Sequence, residues 1–507
     1  MHGLVHGWRL LGDARRLARH GILRPFERHA DVPASFRLLL RLLRLFSGAP
    51  ATPDYAGGLR ACGPAAIKLG QALATRPDLV GDEAAADLAQ LQDDLPPAPW
   101  PEVEYELDSA LKGGWRAHFR HIEPIPLGAA SIAQVHRAEL PDGTTVALKL
   151  LRPGIEVQFQ AAIASYAWAA TELARLGGEF ARLKPRVVLE TFRQWTMAEL
   201  DLRREAGNAS ELREALRTTP GIGVPAIFWA QTTRRTLAME WVDGVKLTDR
   251  EAVARLPVDR AALAARIVRA FLQQAIGQGF FHADLHQGNL LLSADGRLVL
   301  VDFGIMGRLD RRARVYLAEI LHGLIVGNYR RVAEIHFEAG YVPPHHDLHA
   351  FATALRAVGE PIRGRHARDI SIAGLLDGLF AITREFDMAV QPHLLLLQKT
   401  MVTVEGVALG LDPQVNMWDI ARPYVGGWMR DEMGPEARLA DSVLGTARLF
   451  GRLPAIARRL VRELPPESAA PPLPPLPPLP EHRPGRLPWF ALGLLLGALS
   501  VYAIWVS

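Results

Sequence analysis

Cysteine is almost absent from this chain, because Cys62 is the only one among 507 residues. A single cysteine excludes an intramolecular disulfide and a zinc site built from thiolates, and it makes a reducing cytoplasm the expected compartment. Neither sign of charge is in large excess, since 58 Lys and Arg residues accompany 54 Asp and Glu residues. That balance argues against a nucleic-acid-binding protein. His, Gly and Arg interrupt the apolar residues at the start, so we expect no secretory leader.

Motifs of several other enzyme classes are also absent. The sequence has no GxGxxG flavin fingerprint and no evident iron triad, which argues against a hydroxylase. Histidines concentrate in residues 341–349 and 364–366, and His345 and His346 are adjacent, but no HExxH pattern accompanies them. We therefore expect a solvent-facing loop there and not a metal site.

The stretch that carries the chemistry runs from Phe280 to Gly304 and reads FFHADLHQGNLLLSADGRLVLVDFG. Asp284 is followed five residues later by Asn289 and, after thirteen more, by Asp302 in an Asp-Phe-Gly triplet. This is the spacing of a kinase catalytic loop and its metal loop. In that chemistry Asp284 would orient the attacking hydroxyl, while Asn289 and Asp302 would hold Mg²⁺ against the phosphates of ATP.

An apolar hairpin separates the two loops. Residues 290–292 and 298–301 are apolar, and Ala294-Asp295-Gly296 between them is a turn signal. A hairpin of this length would fix the distance between the catalytic carboxylate and the metal loop.

The residues before this stretch have the pattern of a kinase small lobe. Residues 122–127, 132–140 and 144–151 are β-rich runs, and Pro141-Asp142-Gly143 supplies a turn. A strand at 226–230 and another at 236–241 are expected to follow. Residues 260–279 then read as a helix that leads into the catalytic loop.

Lys149 ends the Val-Ala-Leu-Lys segment, which matches the strand whose lysine reaches the ATP phosphates in kinases. Its partner should be a glutamate on a helix, and we choose Glu205. Inserted helical residues 155–195 would separate the two in sequence.

The expected nucleotide loop contains one glycine where ordinary kinases have several. Cβ atoms restrict positive φ and close approach, so this loop should be stiffer than a glycine-rich one. By position, Met239 to Gly244 would be the hinge whose backbone meets adenine. The candidate nucleotide-binding residues are Gly128, Ala129, Ala130, Ser131, Val135, Lys149, Glu240 and Val242.

Residues 1–60 read as basic amphipathic helices, most clearly between Ser35 and Phe46, where arginines recur beside leucines. Two interpretations stay open. The helices could lie on an anionic membrane surface, or they could pack on the catalytic body with their arginines in solvent.

Residues 61–120 form a second helical region. Residues 65–74 have helical character, and a further helix should begin at Asp82 and run to about Asp93. Lys68 and Gln71 would lie on the polar face of the first helix. Composition alone gives these two residues no role.

The combination of motifs resembles the UbiB-like atypical kinases. The resemblance rests on Lys68-Leu-Gly-Gln71 (KxGQ), on the alanine-rich loop, and on Glu199 and Asp201 (ExD), together with the catalytic and metal loops. It covers residues from about 60 to 420. The loop departs from the family pattern because Gly128 stands where the first alanine is usual, which puts an inherited nucleotide preference in doubt.

The resemblance implies an α+β, atypical protein-kinase-like two-lobed fold with an N-terminal helical KxGQ extension. The small lobe would span residues 121–245 and the helical large lobe residues 246–462. In the family the KxGQ helices cover the mouth of the catalytic cleft. Glu199 and Asp201 could bind metal or pair with Lys68, and the alternative interpretation is a solvated acidic helix turn.

The C-terminal region changes character twice. Residues 463–488 are proline-rich and should form an extended spacer. Residues 489–506 are uncharged and apolar, near the minimum length for a transmembrane helix. Arg483 and Arg486 would keep the catalytic body cytoplasmic, on the inner membrane. Gly493 and Gly497 form a GxxxG face that could support a homodimer.

The resemblance further implies binding of ATP with Mg²⁺, support of ubiquinone (coenzyme Q) biosynthesis, and ATPase activity responsive to anionic membrane lipids and prenylphenol-like precursors. Other ubiquinone-biosynthesis proteins would be its partners. His286 could donate to the γ-phosphate when protonated. Two alternatives stay open, namely a small-molecule kinase of the aminoglycoside or choline kinase type and a nucleotide-binding membrane scaffold.

Overall fold

The computed structural model describes residues 2–23, 50, 52–74, 80–88, 90–91, 96–175, 185–363, 378, 382–383, 385–388 and 391–433. The predicted helix at 35–46, the spacer at 463–488 and the transmembrane segment at 489–506 lie outside these residues. The described chain divides into a first unit, residues 2–207 and 226–241, and a second unit, residues 208–225 and 242–433.

The first unit contains eight named helices and five strands among the described residues. Its helices are α1 His2–Arg19, α2 Tyr55–Cys62, α3 Pro64–Ala74, α4 Asp82–Leu88, α5 Trp100–Ala110, α6 Ile155–Arg175, α7 Pro185–Glu199 and the start of α8 Leu202–Ala215. Its strands are β1 His121–Ile122, β2 Gly128–Ala129, β3 Ala133–Glu139, β4 Thr145–Leu151 and β6 Thr236–Glu240.

The strands of the first unit form one antiparallel sheet in the order β1-β3-β4-β6, with β2 pairing β3. Side chains alternate along β4, so Val146, Leu148 and Leu150 face one side. They pack there in a buried cluster with Val103 and Leu107 of α5. Leu151 and the neighbouring strand residue Met239 belong to the cluster on the other side. Lys149 therefore lies on a strand that is anchored from both sides.

Two strand predictions for the first unit are wrong. Only Ile122 of the expected run at 122–127 is in a strand, because Pro124 and Pro126 have no N–H to donate to a ladder. Residues 226–230 contribute a single bridge from Ile227 and a 3₁₀ turn at Trp229–Gln231. The other runs form β3, β4 and β6 as predicted.

The described N-terminal helix packs inside the first unit. Leu10, Ala14 and Leu17 of α1 are buried, and α1 packs against α2 and α6. In the buried cluster of this region, α1 to α4 join residues of α6 and α7. For residues 2–23 the packed interpretation is therefore the one the structure supports. Helix α4 ends at Leu88, before the predicted end near Asp93.

The second unit holds the end of α8 and most of the remaining helices. These are α9 Arg250–Arg255, α10 Arg260–Leu272, α11 Arg311–Val326, α12 Tyr329–Glu338, α13 Leu348–Arg363, α14 Pro392–Leu411 and α15 Met417–Met433. Its strands are β5 Ile222–Gly223, β7 Gly244–Lys246, β8 Phe280–His282, β9 Leu290–Ser293, β10 Leu298–Leu300 and β11 Met306–Arg308. They form a sheet in the order β5-β10-β9-β7 and a separate pair, β11-β8.

The predicted hairpin is present as β9 and β10, which pair antiparallel with Leu292 opposite Leu298. Gly296 adopts φ 77° in the turn, a conformation that glycine reaches without a Cβ penalty. The helix expected at 260–279 becomes a π-helix from Gln273 to Gln278 and ends at Gly279. Wide turns of this kind often lie next to functional sites, and this one leads directly into β8.

Within the described residues, one helical window is long and apolar enough to cross a membrane, Leu394–Leu411 of α14. A third of that window is buried. Helix α14 packs against α10 and β11, and Val404, Val407 and Ala408 are buried. The contacts assign α14 to the body of the second unit, since core helices pass the same test of length and composition.

Candidate active site

Lys149 and Glu205 form a closed ion pair in the first unit. Lys149 Nζ lies 2.7 Å from Glu205 Oε1 and 2.9 Å from Oε2. The two side chains are only 12% and 8% exposed. Helix α8 supplies the glutamate, 56 residues beyond the lysine. The pair that the sequence predicts is thus present, and its burial means that each charge depends strongly on the other.

The expected nucleotide loop lies in register with Lys149. Gly128 of β2 is opposite Val135 of β3, and Val135 is opposite Lys149 of β4. Arg152 directly follows β4, the strand of Lys149. Its Nη1 donates to the carbonyl of Ala130 at 3.0 Å, which links the loop to the end of that strand. The sheet therefore brings together three predicted residues, one from each of three strands.

Ser131 is the polar residue of this loop. Its side chain is fully buried, and its hydroxyl has no hydrogen-bond partner among the residues that the structure describes. A buried polar atom without a partner is uncommon in a native protein and points to a group that binds there. The hydroxyl is a suitable donor for a phosphate oxygen.

Gly128 does not need to be glycine for conformational reasons. Its φ is outside the left-handed region, and an added Cβ would meet no described residue within 4 Å. The backbone would therefore accept the alanine that the resembling family usually has at this position.

The KxGQ helix is fixed within the first unit by polar contacts. Lys68 Nζ of α3 lies 3.0 Å from Glu199 Oε2 at the end of α7. Gln71 Nε2 donates to the carbonyl of Leu91 at 3.3 Å. Asp201 is bonded to the guanidinium of Arg203, which lowers the pKa of that carboxyl. The structure thus pairs Lys68 with the first ExD carboxylate, while the second is held by Arg203.

Glu240 has a structural contact of its own. Its carboxylate accepts from the backbone N–H of Ala226 at 3.0 Å, and its backbone pairs with Val146. A role in binding nucleotide would therefore fall to its backbone, as expected for a hinge residue. Val242 follows β6 and is the first residue of the longer of the two segments that make up the second unit.

In the second unit, hydrogen bonds between its own residues fix the conformation of the catalytic loop. Asn289 Nδ2 donates to the carbonyl of Asp284 at 3.0 Å, which leaves Asn289 Oδ1 as the amide's cation-binding atom. His286 Nδ1 accepts from Gly288 N at 3.0 Å. With its proton on Nε2, this ring faces Asp284 Oδ2 at 3.5 Å.

Asp302 is held in a rare backbone conformation, with φ 62°. Non-glycine residues in this region cost free energy and often lie at functional sites. The next residue, Phe303, is fully buried, and its carbonyl accepts from Asn208 Nδ2 at 2.9 Å. Arg308 of β11 pairs with Glu211, so two residues of α8 hold the segment that follows β10.

Two residues with defined contacts were not selected from the sequence. His282 is fully buried, accepts from Asp284 N through Nδ1 at 3.2 Å, and has Nε2 3.3 Å from the carbonyl of Val301. Lys399 of α14 places Nζ 3.3 Å from Asp284 Oδ1. His282 has a signal in the HxDxH pattern of the loop, whereas Lys399 has none, because 115 residues separate it from Asp284.

Comparison with known proteins identifies the family of this chain. Residues 90–336 match the model of the ABC1 atypical kinase-like domain, and residues 355–416 match the UbiB helical domain. The chain is 39% identical over 381 residues to a protein of Marinobacter nauticus named "Probable protein kinase UbiB", covering 74% of this chain and 70% of the relative. The chain belongs to the UbiB family. A protein of the same name from Xylella fastidiosa strain M23 is 36% identical over 389 residues, covering 76% of this chain and 70% of the relative.

A solved structure supports the fold of this UbiB-family chain. Rv3197 of Mycobacterium tuberculosis, in complex with erythromycin, aligns with a TM-score of 0.50 at 24% identity, covering 72% of this chain and 92% of that chain. The fold is kinase-like with mixed helices and sheets, as predicted.

The donor set fits the ATP and Mg²⁺ that such a kinase-like protein would take. Asn289 Oδ1 and the carboxylate of Asp302 are hard oxygen donors, which suit Mg²⁺. Lys149 offers a compact ammonium, and Ser131 an unpartnered hydroxyl.

The second unit also contains a histidine pair beside Asp387. The rings of His345 and His346 are in tilted contact with centroids 4.2 Å apart, and His346 Nε2 is 3.3 Å from Asp387 Oδ2. His345 is solvent-facing as expected, but His346 packs on Phe386, so the loop prediction is only partly right. The three potential ligand atoms lie within 4.8 Å of one another, yet His345 and Asp387 are 67% and 72% exposed. We interpret the group as a surface His–Asp contact.

Burial of histidines predicts acid sensitivity of this UbiB-family fold. Burial lowers the pKa values of His136, His282 and His336 below the ordinary 6.5. Below about pH 6.5 the unfolded chain takes up protons that the folded chain does not, so the free energy of unfolding falls as the pH drops. We expect the melting temperature to decrease between pH 7.5 and 5.5. His336→Phe should flatten that decrease, and a melting temperature that is constant or rises toward pH 5.5 would contradict the prediction.

Proposed function

We propose that this protein is a membrane-anchored atypical kinase or ATPase of the UbiB type that supports ubiquinone biosynthesis. It would use ATP with Mg²⁺ for the handling of prenylated phenolic lipid precursors. The observation that carries the proposal is the closed Lys149–Glu205 pair together with the bonded Asp284–Asn289 loop. The backbone N–H of Asp284 also donates to His282 Nδ1, which fixes the position of the residue that would receive the proton.

The residues have distinct roles in the proposed reaction. Lys149 binds phosphate oxygens of ATP, and Glu205 orients Lys149. Bound at Asn289 and Asp302, Mg²⁺ would neutralise phosphate charge. Asp284 takes the proton of an attacking hydroxyl or water.

The proposed reaction conserves atoms and charge. The attacking oxygen forms a bond to the γ-phosphorus, while the bond from that phosphorus to the bridging oxygen breaks. ADP leaves with the electron pair of the broken bond. The proton of the attacking group passes to Asp284, and the products are ADP with either a phosphorylated acceptor or inorganic phosphate.

Lys68 and Gln71 are proposed as regulatory residues of the KxGQ helix. The Lys68–Glu199 pair fixes this helix to α7, which ends three residues before α8 begins. Because α8 carries Glu205, movement of the KxGQ helix would shift α8 and change how Glu205 orients Lys149. Asp201, with its arginine partner, lies in the short connection between α7 and α8.

We place the protein at the inner membrane, with residues 489–506 as a single span and the catalytic body in the cytoplasm. Anionic lipids, prenylphenol-like lipids and other ubiquinone-biosynthesis proteins are the proposed partners, and Gly493 with Gly497 would favour a homodimer. The named relatives, called protein kinase UbiB, support the family context of this proposal.

The test is phosphate release from ATP by the full chain in vesicles. Neutral vesicles, anionic vesicles and anionic vesicles with a prenylphenol are compared, with Asp302→Asn as the blank. We expect release that the lipids stimulate and that Asp302→Asn abolishes. A phosphorylated small molecule, found by mass spectrometry, would favour a small-molecule kinase. Nucleotide binding without release above the blank would favour a scaffold and reject the proposal.

A further inference from the structure

The catalytic loop of this chain has no permanent cation of its own. Between Asp284 and Asn289 it reads Asp-Leu-His-Gln-Gly-Asn, with neither lysine nor arginine. His286 is charged only when protonated, and its Nδ1 already accepts from Gly288 N. A phosphoryl group that carries negative charge in the transition state requires nearby fixed positive charge. A cation that acts beside Asp284 must therefore come from another element.

Lys399 lies where such a cation is needed. Its Nζ is 3.3 Å from Asp284 Oδ1, the oxygen opposite to the one that faces His286. The lysine side chain is 45% exposed and the aspartate 29% exposed. Its ammonium is thus both next to the catalytic carboxylate and open to an incoming substrate.

The backbone of α14 is anchored at this point. The next residue, Thr400, is fully buried, and its hydroxyl lies 3.2 Å from the carbonyl of Ala283, which precedes Asp284. Val404 and Ala408 are buried one and two turns further on. The contact differs from an ordinary surface ion pair, because the residue after Lys399 is fully buried against the residue before Asp284.

We propose that Lys399 of the UbiB helical domain is the catalytic cation of the reaction. This inference rests on the proposed function and adds a residue to it. Lys399 holds Asp284 before ATP is bound, and it contacts the transferred phosphoryl group in the transition state. The carboxylate and the ammonium then act in the same bond-forming step, one on the attacking group and the other on the phosphoryl group. Asp284 takes the proton, and Lys399 balances the charge on the phosphoryl oxygens.

The test compares Lys399→Met, Lys399→Arg and wild-type full chain in vesicles. Lys399→Met should lower the turnover number about 100-fold, the usual loss for one transition-state donor. Affinity for MgADP should be unchanged, while trapping of MgADP with aluminium fluoride, a mimic of the transferred phosphoryl group, should be lost. Lys399→Arg should recover part of both. Lys112→Met, at an exposed lysine in the first unit, is the matched control and should behave as wild type.

Three outcomes separate the possibilities. Equal turnover and trapping in wild type and Lys399→Met would overturn the proposal while the proposed function stands. A wild type that neither releases phosphate nor traps MgADP would reject the proposed function, and the role of Lys399 with it. If Lys399→Met does not reduce trapping further in an Asp284→Asn background, Lys399 acts only by positioning Asp284, and the phosphoryl contact is rejected.

Discussion

Replacing Glu205 by leucine is expected to destabilise the first unit by about 3–5 kcal/mol and to lower ATP turnover at least about 100-fold. The large cost arises because Lys149 would keep its charge in a buried position without the carboxylate 2.7 Å away. Turnover falls because the Lys149 ammonium loses the carboxylate that orients it toward the phosphates. Urea unfolding followed by tryptophan fluorescence measures the first effect, and phosphate release measures the second.

The double variant Lys149→Met with Glu205→Leu separates the two effects. Replacing both partners of a buried pair by apolar groups is often neutral for stability, so the free energy of unfolding should return to within about 1 kcal/mol of wild type. Turnover should stay lost. Glu139→Leu removes the partner of Arg120 in an exposed pair of the same sheet and should cost less than about 1 kcal/mol. A double variant as unstable as Glu205→Leu would contradict the argument.

Gly307→Ala should destabilise the second unit by about 3 kcal/mol, the upper part of the range for overpacking. An added Cβ would clash with Cζ of Phe281, the cross-strand neighbour of Gly307 in the β8–β11 pair. The ring cannot move easily, since it is fully buried and packs edge-on against Phe271 at 6.3 Å. Because β8 leads into the catalytic loop, turnover should fall as well.

Gly406→Ala is the matched control for this prediction. Gly406 lies inside α14, and an added Cβ would meet nothing within 4 Å. Alanine should therefore stabilise the helix by about 0.5–1 kcal/mol. The same chemical change is thus expected to have opposite signs at two glycines of one unit. Equal effects of both substitutions on the unfolding midpoint would show that local packing does not control the outcome.

Features that depend on neighbouring residues could be predicted from the sequence. The β9–β10 hairpin follows from two apolar runs around an Asp-Gly turn, and β3 and β4 follow from alternating side chains. The Lys149–Glu205 pair was also predictable, because a strand lysine and a helical glutamate occur in the order that kinase chemistry requires. The expected run at 122–127 failed because its two prolines interrupt the ladder.

The sequence by itself determined the family, the order of the loops and the residues of the proposed nucleotide and metal contacts. Only the tertiary structure decided that α1 packs in the core, that Arg203 forms an ion pair with Asp201, and that Lys399 contacts Asp284. Local patterns encode the period and the turn chemistry of each element. They do not encode how a helix is docked and rotated against a loop 115 residues away. That rotation, fixed by buried residues such as Thr400, determines which side chain of α14 faces the catalytic carboxylate.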